Sequence, residues 1–176
     1  MALLSRLGIL TLCFVLSVNL CTLTAFPADL CRMEAILKRV KHEIQKLQSG
    51  LNIHVNHNGE IIRHLMINKS LPIPQQYKSA ACGLSYMEKA LEEIQKHQKL
   101  NNSEQIQKLF EDVINRLKTH LPVYARHTLG KCDNPPQLSW PESIFKAKQW
   151  TWNFLDSSEK FLRHLIHLLE CREENP

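Results

Sequence analysis

Cys31, Cys82, Cys132 and Cys171 are the side chains best placed to do chemistry, because thiols either cross-link a chain or hold a metal. None of them stands in a C-x-x-C pair, the spacing that structural zinc sites use, so disulfides are expected and zinc is not. His54-x-x-His57 and His164-x-x-His167 offer imidazoles in pairs. No carboxylate is placed to complete a site at the first pair. The second lies in a leucine-rich run, where a surface or half-buried histidine is the ordinary outcome. No metal site is expected at either. The chain contains no G-x-S-x-G, no phosphate-binding glycine loop and no H-E-x-x-H. Its 5 glycines leave little material for a loop that cradles a substrate. An enzyme is therefore not expected, and no cofactor is implied.

Other residues point to recognition. Asn68-Lys-Ser70 and Asn101-Asn-Ser103 are acceptor sequons for N-glycans. Trp140, Trp150 and Trp152 fall close together, and packing of a connecting segment is favoured over an exposed hot spot for a partner. Arg32, Lys38, Arg39, Lys41 and Lys46 make one stretch basic, with Glu43 standing among them. Glu43 is either a local ion-pair partner for Arg39 or Lys46, or a carboxylate offered to a receptor cation.

The start of the chain sets the compartment. Arg6, the apolar run from Leu7 to Leu20 and the small residue Ala25 form a secretory signal over residues 1–25. The run is short for a bilayer span, and no later stretch is apolar enough to cross, so no membrane insertion is expected. Cleavage would remove Cys13 and Cys21 and leave an even set of cysteines in an oxidising compartment, where two disulfides are expected. The formal net charge of +5 is mild and diffuse. It suits acidic receptor surfaces or extracellular polyanions. Nucleic acid is not expected, since no dense basic block carries interleaved aromatics.

Residues 26–176 form one domain by length, and their apolar periodicity predicts four helices. Leu30, Met33, Leu37, Val40, Ile44 and Leu47 stripe the first, which Asp29 caps and Ser49-Gly50 ends. Leu84, Met87, Leu91 and Ile94 stripe a second over about 79–99. The third opens at Asn102-Ser103-Glu104-Gln105, carries Ile106, Phe110, Val113, Ile114 and Leu117, and is expected to stop at Pro122. The fourth runs over about 148–171 through Phe154, Leu155, Phe161, Leu162, Leu165 and Leu169. Residues 51–55 and 143–146 alternate in polarity and predict a small two-stranded ribbon. The second and third helices are joined by a few residues and should lie antiparallel. The links 51–78 and 122–147 are each long enough to run the length of a helix. The fold class expected is all-α, a short-chain four-helix cytokine bundle running up-up-down-down with two long crossover loops. Such a bundle brings all four cysteines to one pole. Three pairings remain possible there, of which Cys31–Cys171 with Cys82–Cys132 is favoured.

Several pieces, taken in order, resemble the short-chain cytokines interleukin-3, interleukin-5 and granulocyte–macrophage colony-stimulating factor. Val40-Lys-His-Glu43-Ile-Gln-Lys-Leu47 is similar to the first-helix segment in which these carry a single glutamate. Asn58-Gly-Glu60, Leu65-Met66 and Asn68-Lys-Ser-Leu71 resemble interleukin-3. Asn68-Lys-Ser-Leu-Pro-Ile-Pro74, Cys82 and Ile106-Gln-Lys-Leu-Phe110 resemble interleukin-5.

The resemblance implies a secreted ligand for a pair of class I receptor chains, a specific alpha chain and a shared beta chain, on haematopoietic and immune cells. It assigns the shared-chain contact to Glu43, with Glu34 as the second choice, and offers Glu159 and Arg163 for the alpha chain. Interleukin-5 joins cysteines resembling Cys82 and Cys132 between two subunits, so a monomer and a disulfide-linked homodimer both stay open. A brace formed by Cys31 and Cys171 is more like interleukin-4, which makes an interleukin-4/interleukin-13-like ligand the sister reading. A secreted carrier of lipid or polyanion is the competing class. It requires a large cavity or an exposed apolar face, and helices with single stripes that satisfy one another do not predict one.

Overall fold

A computed structural model describes residues 30–51, 53, 62–98, 103–128 and 130–169 of the 176-residue chain. Residues 1–25, where the secretory signal is expected, most of the expected strand at 51–55, the histidine pair at 54 and 57, Asn101 and Cys171 lie outside them. Among the described residues the structure is all-helical, with four α-helices and no strand.

The first helix, α1, covers 30–50, and its stripe is the one the periodicity predicts: Met33, Leu37, Val40, Ile44 and Leu47 are all buried. Gly50 stays helical instead of turning left-handed. What it supplies is room, because the Ile106 side chain lies where a Cβ would stand.

The segment before the next helix is fastened down. It holds a single 3-10 turn, Arg63–Leu65, and buries Leu65 and Ile67. The Ile62 N–H donates to Ser157 Oγ at 3.3 Å. At Asn68 the side-chain Oδ1 accepts from the Ser70 N–H at 3.0 Å, a local turn that asparagine favours.

Helix α2, Ile73–Gln98, begins about two turns earlier than its apolar stripe predicts. Pro74 is tolerated in a first turn, where backbone N–H groups have no helical partner. The Gln76 side chain ties that turn down by donating to the Leu71 carbonyl at 2.7 Å.

Helix α3, Glu104–Thr128, overrides the expected stop and carries Pro122 inside it. A mid-helix proline costs roughly 3 kcal/mol, and packing beyond it offsets that cost. Tyr124 is 1% exposed and donates its hydroxyl to the Tyr77 carbonyl at 3.2 Å. Thr128 donates back to the Tyr124 carbonyl at 2.8 Å. Cys132 then joins Cys82 in a disulfide with a Cα–Cα distance of 4.8 Å. Burial of one large side chain is worth about 1.5–3 kcal/mol and a disulfide about 2–4 kcal/mol, so the tertiary side wins.

Helix α4, Ile144–Leu168, also begins early, and residues 143–146 form its first turn, not half of a ribbon. Ser143 caps it, its Oγ accepting the Lys146 N–H at 3.2 Å. Alternating polarity in so short a stretch loses to a serine that satisfies an orphan donor.

The four stripes share one core. Leu84, Met87, Leu91 and Ile94 of α2 meet Phe110, Val113, Ile114 and Leu117 of α3 and Phe154, Leu155, Phe161, Leu162 and Leu165 of α4, all buried. Phe161 lies across Gly83, where an added Cβ would stand 2.7 Å from the ring. The tryptophans pack in a row. Trp140 stacks on His97 at 4.5 Å, meets Trp150 edge-on at 5.4 Å, and Trp150 stacks on Phe154 at 5.3 Å. They secure the segment ahead of α4 to the end of α2.

Candidate functional site

Glu43 projects from α1 toward α3 because it sits beside the core positions Val40 and Ile44. Its side chain is only 10% exposed. Arg116 of α3 donates to both carboxylate oxygens, at 3.2 and 3.3 Å, and Arg39 adds a third bond at 3.3 Å. The outward group here is the Arg39 guanidinium, 68% exposed, whereas Arg116 at 22% is largely covered. Nearby, burial holds the His120 imidazole below its usual range, and the charges of Arg32 and Arg116 add to the effect.

Glu34 lies two turns and a half earlier on α1, half-buried beside the exposed ammonium of Lys38. Glu159 is buried on α4, where Arg163 grips both of its oxygens at 2.8 Å and Gln45 of α1 donates at 3.3 Å. Two carboxylates, Glu43 and Glu159, thus knit α1 to its neighbours on opposite flanks. In both cases the acid faces protein and one exposed arginine, Arg39 or Arg163, covers it from the solvent side.

The structure does not bring the four candidates together. Glu34 and Glu43 follow α1, while Glu159 and Arg163 stand on α4, where Glu159 accepts from Gln45 and Arg163 shares a cleft with Lys38, Lys41 and His42. Arg116 and Gln45 are the partners that reading the sequence misses. They stand 73 and 114 residues from the acids they hold. A faint signal for Arg116 existed: it adjoins Leu117 and lies one turn from Val113, on the border of a core stripe.

Cys31 is disulfide-bonded, as are Cys82 and Cys132, which pair within one chain. Asn68 is exposed. His164 is half-buried and His167 exposed, and no group of three metal-ligating side chains occurs among the described residues. No described helix is long and apolar enough to cross a membrane. The chain matches no protein-family model, no curated protein and no solved structure.

Proposed function

We propose that this chain is a secreted short-chain four-helix cytokine, not an enzyme, in which α1 and α2 point one way and α3 and α4 the other. The pairing of helix ends carries the reading. Early in α1, Met33 and Leu37 share a small cavity with Leu117 and Tyr124 late in α3, whereas Gly50 lies by Ile106 near the start of α3. Along α2, Tyr77 meets Tyr124 and donates to the Leu168 carbonyl, while Glu92 pairs with Lys118. On the remaining side Lys38 shares a cleft with Ile166 and His167, and Gln45 bonds Glu159. Each early helix has its start beside the end of both late ones, which favours two long crossovers over a simple alternating bundle.

The ligand would engage class I receptor chains, a specific alpha chain with a shared beta chain, and promote growth or differentiation of haematopoietic and immune cells. Glu43, with Glu34 behind it, would serve the shared chain. A receptor cation would then take over hydrogen bonds that Arg39 and Arg116 now make. Glu159 would act through the Arg163 it presents. Closure of Cys82–Cys132 inside one chain favours a monomer. The engaged Cys31 favours the sister reading, an interleukin-4/interleukin-13-like ligand using other receptor chains.

Purified protein applied to haematopoietic progenitors tests this. Phosphorylation of receptor-associated kinases within minutes is expected, along with saturable surface binding. Absence of both sinks the cytokine reading. Glu43→Gln keeps the side-chain shape and should abolish signalling while alpha-chain binding persists. Full signalling by that variant and by Glu34→Gln would instead favour the interleukin-4-like alternative.

A further inference from the structure

A surface cleft of about 410 Å3 lies between α1 and α4, lined by Lys38, Lys41 and His42 from one helix and Arg163 and His167 from the other. Among the described residues no carboxylate belongs to its lining. The acids that pair with two of these cations sit behind them. Glu34 and Glu159 have side chains 12% and 10% exposed, against 60% and 64% for Lys38 and Arg163. Solvent therefore meets the positive heads and not their counter-charges.

Past the cleft the next ammonium is that of Lys69, with the His164 imidazole, which favours its neutral form, as a nitrogen donor between. His164 follows Arg163, and its imidazole is held below the usual range by burial first, then by Lys69 and His167. Lys41, Arg163, His167, His164 and Lys69 thus succeed one another across α4, from α1 to the turn ahead of α2. A single small anion would use two or three of these groups. A strip of them suits a chain of anions, since ammonium and guanidinium donors each bind a sulfate or carboxylate oxygen with charge assistance.

We propose that this α1–α4 strip binds a linear sulfated polysaccharide, with sulfate and carboxylate groups laid from Lys41 toward Lys69. A protein partner fits less well, because protein interfaces are anchored by buried apolar or aromatic side chains and, among the described residues, this cleft offers only Ile166. The inference rests on the extracellular part of the proposed function and needs no receptor.

The test is titration of a heparin-derived hexasaccharide into the full secreted chain, at about 0.15 M salt and again at about 1 M, where charge attraction is screened over a few ångströms. Saturable one-to-one binding is expected at the lower salt and its loss at the higher. Lys41 is half-buried and His42 exposed, so the double change Lys41→Glu with His42→Glu should fold, as an unchanged thermal melt would show. It should weaken binding by about tenfold or more, equivalent to 1.4 kcal/mol. Lys108→Glu, an exposed site on α3, should leave the affinity unchanged. Equal losses in both variants would mean diffuse attraction to net charge and overturn the site. Equal binding of the desulfated hexasaccharide, displacement by an acidic peptide at the same concentration, or no binding at all would overturn it too. Whether the secretion reading itself fails is seen separately, from the presence in conditioned medium of a chain beginning at Phe26.

Discussion

Glu43 shows how fully one carboxylate can be held by its own molecule. Its carboxylate is nearly enclosed, and removal of one member of a buried ion pair leaves a charge without compensation. Glu43→Arg would place three guanidiniums together. It should lower unfolding free energy by about 3–5 kcal/mol, read as a lower urea midpoint, so lost signalling in that variant would report the fold and not the receptor. Glu43→Gln keeps the shape and part of the bonding, and should cost clearly less.

The two histidines with depressed values set a pH response. His120 and His164 favour the neutral form when folded, mainly through burial. The unfolded chain then binds more protons below an ordinary imidazole value of about 6.5, so stability falls as pH drops through that point and levels off below the folded values. Thermal melts from pH 7.5 to 5 should show this decline. The pair His120→Gln and His164→Gln should flatten it, and an unchanged slope would locate the response elsewhere.

At the scale of elements, helix interiors were legible in the sequence and helix ends were not. The stripes of α1 and α4 are buried, Leu30 at the start of α1 only partly, because period 3.6 is dictated by the core they share. Ends depend on single capping or docking events. Pro122 reads as a stop until Tyr124 reaches the Tyr77 carbonyl, a residue 47 positions away. Ser143 reads as part of a strand until its hydroxyl is seen to cap the turn that follows. The candidate site divides in the same manner: Arg39 was visible beside Glu43, whereas Arg116 required the tertiary fold.

Two substitutions test these ends. Ser143→Ala should cost about 1 kcal/mol and raise amide exchange over 144–147, with the rest of α4 unaffected. Pro122→Ala should restore a helical donor and stabilise α3 by about 1–3 kcal/mol. Destabilisation instead would mean that the local backbone geometry Pro122 imposes is what aims Tyr124 at Tyr77.

For the molecule as a whole, the pole around Tyr77 is held by several independent ties. The Tyr124 hydroxyl bond, the Lys78–Asp133 ion pair and the Cys82–Cys132 disulfide all lie there. The ion pair is exposed on both sides and, screened by solvent, is the weakest of the three. The disulfide spans 50 residues, and chain entropy for such a loop gives on the order of 4 kcal/mol. Replacing both cysteines by serine should lower the denaturation midpoint accordingly. Far-ultraviolet circular dichroism should be retained, because the core beneath does not depend on the cross-link.

The Phe161 ring seated on Gly83 has a consequence for how α2 and α4 sit along each other. A flat aromatic resting in the gap left by a missing side chain works as a detent: either helix could slip lengthwise only by lifting the ring out. Gly83→Ala would gain helix propensity of about 1 kcal/mol, yet it sets a methyl against a buried ring, and overpacking costs about 1–3 kcal/mol. With the His64 carbonyl 3.1 Å from the same point there is nowhere for the methyl to retreat. Because α4 also carries Arg163 and His167, the notch beneath Phe161 indexes their height against Lys69 in the turn ahead of α2, and with it the spacing of charges that the outer surface displays.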